Sequence, residues 1–105
     1  MLDLTVYHKQ YYEIKVSDTD ILHLESPTRK QLKKLMELTK SLNQDNLADA
    51  DIDMLYEAAT MAINKNKENR SYNADQIDVI LPFKALEVFF NKYYTWITDN
   101  VDQKN

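Results

Sequence analysis

The chain opens with alternation. Leu2, Leu4 and Val6 alternate with polar residues, and Tyr12, Ile14 and Val16 do the same. Period two is the signature of strands with one buried face. The polar stretch His8-Lys9-Gln10 between them reads as the turn of a β-hairpin, although no Asn-Gly or Asp-Gly pair fixes its type. Leu22 and Leu24 add a short extended piece. From Ser26 onward the period is helical. Ser26-Pro27 is a helix-start pair, with serine able to cap free amides and proline tolerated at the first helical position. Leu32, Leu35, Met36, Thr39 and Leu42 form one face of a helix that runs to Asn43, where Asn43-Gln44-Asp45-Asn46 breaks it. A second helix starts near Asp49 or Asp51 and buries Ile52, Leu55, Tyr56, Ala59, Ala62 and Ile63. Its leading acids and the trailing Lys65 and Lys67 suit the helix dipole. Asn64 to Asn73 reads as a polar loop. Asn73 followed by Gln76 makes a capping box for a short third helix carrying Ile77, Ile80 and Leu81. Pro82 ends or kinks that helix, or starts a fourth. The predicted fold is α+β, mostly α: an N-terminal β-hairpin within about residues 1–25, then about four helices, in a single domain spanning 1–98 with a frayed tail at 99–105.

The fourth helix carries the strongest signal. Phe83, Leu86, Phe90, Tyr93 and Ile97 recur at spacings of three and four, the core-facing stripe of an amphipathic helix. Val88, Phe89, Tyr94 and Trp96 fall outside that stripe. A helix apolar around most of its circumference is buried on all sides or has a partner. Phe89 and Trp96 are therefore expected at an interface, where large aromatic residues contribute area with few rotamers. Phe83, Leu86, Phe89, Phe90, Tyr93, Trp96 and Ile97 together form the candidate partner-binding set.

Composition narrows the function classes. With 44% apolar and 29% charged residues the chain is globular rather than disordered. It has no cysteine, which removes disulfides and thiolate chemistry and points to a reducing compartment. The start Met-Leu-Asp-Leu-Thr-Val lacks the basic and apolar regions of a signal peptide, and no apolar run is long enough to span a bilayer. A cytoplasmic protein with no membrane partner is expected. The net charge of −4 argues against nucleic acid as the partner. There is no glycine, so no glycine-rich phosphate cradle can form, and the connections must use Asn, Asp and Ser. The charges are segregated. Arg29, Lys30, Lys33, Lys34 and Lys40 form one basic stretch, Lys65, Lys67 and Arg70 a second, and Asp45, Asp49, Asp51 and Asp53 lie between them. Solvated helix faces and helix-start acids are the plainer account of such a pattern; complementary patches that steer copies together head to tail are the sharper one.

No constellation for chemistry emerges. Asp49-x-Asp51-x-Asp53 has the opening spacing of a calcium loop, but Met54 stands where the loop needs glycine and Thr60 where it needs a bidentate glutamate. His8 and His23 are not at metal-ligand spacing. Ser17, Ser26, Ser41 and Ser71 lack a triad or elbow setting. No enzyme, metal or cofactor is expected. The cluster Tyr7, Tyr11 and Tyr12 suits strand packing, and an edge of the hairpin could pair with the edge of a neighbouring molecule.

The layout of hairpin, Ser-Pro-Thr-Arg-Lys-Gln-Leu-Lys-Lys-Leu (Ser26 to Leu35), a helix ending Ala-Ile-Asn-Lys-Asn-Lys (Ala62 to Lys67) and the aromatic segment Ile80 to Ile97 resembles the tail assembly chaperones of long-tailed bacteriophages of Gram-positive hosts, most closely the tape measure protein chaperones. The resemblance covers nearly the whole chain and is one of layout and character. It implies a non-catalytic protein that binds the long helical tape measure protein and keeps it soluble until tube subunits displace it. It implies self-association, with a spiral around the client as one arrangement, and residence in the host cytoplasm rather than in the mature virion. Two other readings belong to different classes: a small acidic adaptor, antitoxin-like or transcription-inhibiting, that binds one protein partner, and a helix-turn-helix DNA binder, which the acidic balance weakens.

Overall fold

The computed structural model describes residues 1–102. It contains a two-stranded antiparallel hairpin, β1 (Tyr11–Lys15) and β2 (Ile21–Glu25), followed by α1 (Arg29–Leu38), α2 (Asp49–Asn64), α3 (Ala74–Ile80) and α4 (Phe83–Asp102). The α+β, mostly helical class is as expected, but the strand expected at Tyr12 to Val16 pairs with the extended piece at Leu22 and Leu24 and not with the segment before it. The alternating segment at the start forms a 3-10 helix, Leu4–Lys9, in which no residue is buried. Asp3 caps it, its carboxylate accepting from the Thr5 amide at 3.0 Å. Alternation marks a strand only where an apolar surface lies beneath it, and none lies beneath Leu2, Leu4 and Val6. The hairpin turn instead falls on Ser17-Asp18-Thr19-Asp20. The Ser17 hydroxyl accepts from the Asp20 amide at 3.1 Å, and the Val16 N–H donates to the Asp20 carbonyl at 3.0 Å. Short polar side chains that bond their own backbone make this turn without glycine.

Cross-strand pairs run from Tyr11 opposite Glu25 to Lys15 opposite Ile21. Leu22 and Leu24 point inward and are fully buried, while Tyr12, Ile14 and Val16 pack partly buried against the same core. The outer edge of β2 is covered by the chain leaving α2. The Glu25 N–H donates to the Lys65 carbonyl and the Lys67 N–H to the His23 carbonyl, both at 2.9 Å. The His23 N–H donates to Glu68 Oε1 at 3.0 Å, and the His23 ring meets Glu68 Oε2 at 2.6 Å and Glu13 Oε2 at 3.2 Å. This stretch is therefore ordered by specific bonds rather than being a plain polar loop. Buried Asn66 holds it from inside. Its amide donates to the carbonyls of Ile63 (2.8 Å) and Arg70 (2.9 Å), and its oxygen accepts from the Arg70 N–H (2.9 Å). Asn64 clamps Tyr72 in the same two-bond manner, and Arg70 reaches Asp20 at 3.2 Å.

The caps explain the helix boundaries. Thr28, not Ser26, starts α1: its hydroxyl accepts from the Gln31 N–H, and the Gln31 side-chain oxygen Oε1 accepts from the Thr28 N–H. Pro27 thus precedes the cap instead of occupying the first helical position. Thr39 ends α1 earlier than its periodicity suggested, and the chain then turns through Asn43, which adopts a left-handed φ of 74°. Asn69 does the same at φ 58°. Asparagine is the residue most able to replace glycine there. The Asn73–Gln76 capping box of α3 forms as read, with both bonds at 2.9 Å. Pro82 lies between α3 and α4, its carbonyl accepting the Ala85 N–H. α4 continues past Thr98 to Asp102, so the tail expected to fray is helical from Asp99 to Asp102; the rest of it lies outside the described residues.

The core lies where α2, α4 and β2 meet. α2 contributes Leu55, Ala58, Ala59, Ala62 and Ile63, and its three alanines let the neighbouring elements approach closely. α1 adds Leu35 and Leu38, and α3 adds Ile77. The buried face of α1 is rotated from the expected one: Leu38 is inside, and Met36 is 58% exposed.

Candidate partner-binding surface

The aromatic residues of α4 divide into two groups. Leu86, Phe90 and Tyr93 are at most 1% exposed and Phe89 is 9% exposed, so all four are core. Phe89 stacks on Tyr93 at 5.7 Å between ring centroids and meets Phe90 edge-on at 5.1 Å. Burial holds the Tyr93 hydroxyl well above its ordinary pKa. Phe89, expected at an interface, is instead enclosed in the core cluster, packed against the Phe90 and Tyr93 rings. Trp96 is half-buried under Tyr12, 5.6 Å away, and this contact docks the hairpin on the helix. Ile97 is half-buried, and Phe83, read as core, is 51% exposed. Of the seven candidate residues, the structure thus leaves Phe83, Trp96 and Ile97 wholly or partly accessible and encloses the other four.

Ile97 contributes to a groove that sequence reasoning did not assemble. Leu32, Met36 and Thr39 of α1 and its cap face Tyr94, Ile97 and Thr98 of α4 across a hollow of about 300 Å³. This volume is at the small end of ligand sites, with room for a few anchoring side chains. Its polar atoms are already engaged. The Thr39 hydroxyl donates to the Leu35 carbonyl and shares a 2.8 Å bond with the Tyr94 hydroxyl. Burial raises the Tyr94 pKa, and the bond with Thr39 opposes that shift. With no free polar group pointing in, the groove selects apolar side chains. Arg29 and Lys33, both exposed, stand three positions before Leu32 and Met36 on α1, the spacing of neighbours on a helix surface, and exposed Lys40 follows the Thr39 cap. The signal in the sequence was Met36, which periodicity had assigned to the core. Methionine on a surface is an adaptable contact for apolar partners.

A second hollow, about 640 Å³, lies between α2 and α3. Ile52, Tyr56 and Ile77 form its floor, with Asp53, Glu57 and Asp78 around them. Asp49 and Asp51 belong to the start of α2, where the Asp51 carboxylate accepts from the Ala48 N–H at 3.0 Å, as helix-start acids do. Among the described residues no group of three His, Cys, Asp or Glu side chains is placed to hold a metal ion, and no helix is long and apolar enough to cross a membrane. No protein-family model, curated protein or solved structure matches the chain.

Proposed function

We propose that this protein is a non-catalytic chaperone that holds an amphipathic helix of a client, and that the client is the tape measure protein of a long-tailed phage. The groove between α1 and α4 is the observation that supports the first part. It is apolar, its polar atoms are satisfied, and exposed cations continue along α1. An amphipathic helix places anchors at i, i+3 or i+4, and i+7 into such a groove. The basic flank favours a client helix with acidic residues beside its apolar stripe. One small groove grips weakly, so a long client is held by several copies, each easily displaced. The tape measure protein, long and helical, is the client that the resemblance in layout implies.

The test is co-expression with tape measure fragments, pull-down and light-scattering mass, using the wild type, Met36→Asp and Ile97→Asp. Several copies per fragment, lost in both variants while circular dichroism stays helical, is the expected result. Retention of the client by both variants would remove the groove from the argument. If no fragment is retained by the wild type, the tape measure reading fails. The acid-rimmed hollow between α2 and α3 then favours the alternative, an adaptor for one partner with a basic, apolar segment.

A further inference from the structure

The sheet has one closed edge and one open edge. The Glu25 and His23 backbone bonds to Lys65 and Lys67 point away from β1, which fixes the phase of the ladder. Tyr12, Ile14 and Val16 therefore turn their N–H and C=O groups toward β2. Those of Tyr11, Glu13 and Lys15 point outward. Among the described residues no strand pairs with that side of β1. The 3-10 helix does not cover it, because Tyr7 and His8 lie beside Glu25, Pro27 and Lys65 at the far end of β2. Charged side chains on an edge usually repel incoming strands. Here the two charges, Glu13 and Lys15, have opposite signs and flank Ile14 symmetrically.

We infer that β1 pairs with β1 of a second copy, antiparallel about a two-fold axis at Ile14. A closed pair must use the same edge on both copies. Only a few registers place the outward backbone groups opposite one another. Centring on Glu13 sets Glu13 against Glu13, and centring on Lys15 sets lysine against lysine. Centring on Tyr12 brings Lys9, in the 3-10 helix, opposite Lys15. Centring on Ile14 places Glu13 of each copy opposite Lys15 of the other, on both sides of the axis. The same register puts Ile14 opposite Ile14 and Tyr12 opposite Val16, extending the apolar row that each hairpin already turns to its core. Glu13 is free to accept the lysine: its side chain is 67% exposed, with one contact, to the His23 ring. The edge thus rejects unrelated strands by charge and accepts its own copy. Five residues of strand bury less than a standard interface, so the dimer is weak and concentration-dependent.

Sedimentation of the full chain without any client tests the pairing independently of what the protein holds. A dimer should form as concentration rises. Glu13→Lys or Lys15→Glu replaces two attractive cross-strand pairs by two repulsive ones and should raise the dissociation constant roughly tenfold. The double swap, Glu13→Lys with Lys15→Glu, restores complementarity and should restore the dimer. Amide exchange on the wild type supplies a readout that needs no variant: the Tyr11, Glu13 and Lys15 amides should be protected only at high concentration. A monomer at up to about 1 mM would overturn the inference. So would single swaps that leave the dimer intact, or a double swap that fails to rescue it.

Discussion

Asn66→Ala should destabilise this protein more than most single changes outside its core. The side chain is 3% exposed and makes three hydrogen bonds. A satisfied buried bond contributes about 1 kcal/mol net, and a group left unpaired in the interior costs about 1–3 kcal/mol. The Ile63 carbonyl is the most enclosed of the three partners and has no second donor among the described side chains. The Arg70 N–H and C=O are half-exposed and regain water when the amide is removed, so each counts for less. The sum is about 2–3 kcal/mol, a large part of the roughly 5–15 kcal/mol that holds a domain of this size. The variant should melt about 10 °C below wild type. The assay is urea unfolding followed by circular dichroism, with thermal melts alongside. Asn64→Ala provides the scale: it loses two bonds at a less buried position and should cost about half as much. The reasoning fails if Asn66→Ala unfolds within about 0.5 kcal/mol of wild type, or if Asn64→Ala proves the more damaging.

Two further outcomes are expected. Phe90→Ala should cost about 3–5 kcal/mol through the cavity it leaves, whereas Phe83→Ala, at the exposed start of α4, should cost less than about 1 kcal/mol; equal losses in urea titrations would contradict the division of that helix. The Glu68 carboxyl is held below its ordinary pKa, chiefly by the His23 backbone N–H and also by the His23 ring. A lowered folded-state pKa contributes stability that is complete above the unfolded value of about 4.5 and is lost as pH falls through the folded one. Glu68→Gln should therefore flatten the acid limb of the stability–pH curve, and an unchanged limb would place the acid sensitivity elsewhere.

Local signals were read correctly where local physics decides. The Asn73–Gln76 box formed as written because both partners lie within one turn. α1 ends at Leu38, earlier than its periodicity suggested, with Asn43 turning the chain beyond it. The hairpin was displaced because Leu2, Leu4 and Val6 carry a strand period with nothing to cover them. The turn chemistry of Ser17 to Asp20 was visible and outranked His8-Lys9-Gln10, which has none. What could not be read were facts of assembly. Periodicity finds that α4 is apolar on most sides, but not which neighbours enclose Phe89 and which leave Phe83 outside. Met36 has the spacing of a core residue; only the rotation of α1 against α2 and α4 places it in the groove. Asn66 and Glu68 looked like loop polarity, because Asn66 sits in a backbone bridge to Leu24 and the partner of Glu68, His23, lies more than forty positions earlier.

That bridge has a consequence for the order in which the molecule takes shape. Two strands alone are barely stable in water. Here the second strand completes its outer bonding only when residues 65–68 arrive, after the whole of α2 has been made. As the chain leaves the ribosome, the hairpin must wait for a segment some forty residues downstream. The open edge of β1 is thus displayed in its pairing register only by a molecule whose first seventy residues have already folded. Nascent chains, crowded on one message and still incomplete, do not yet present it.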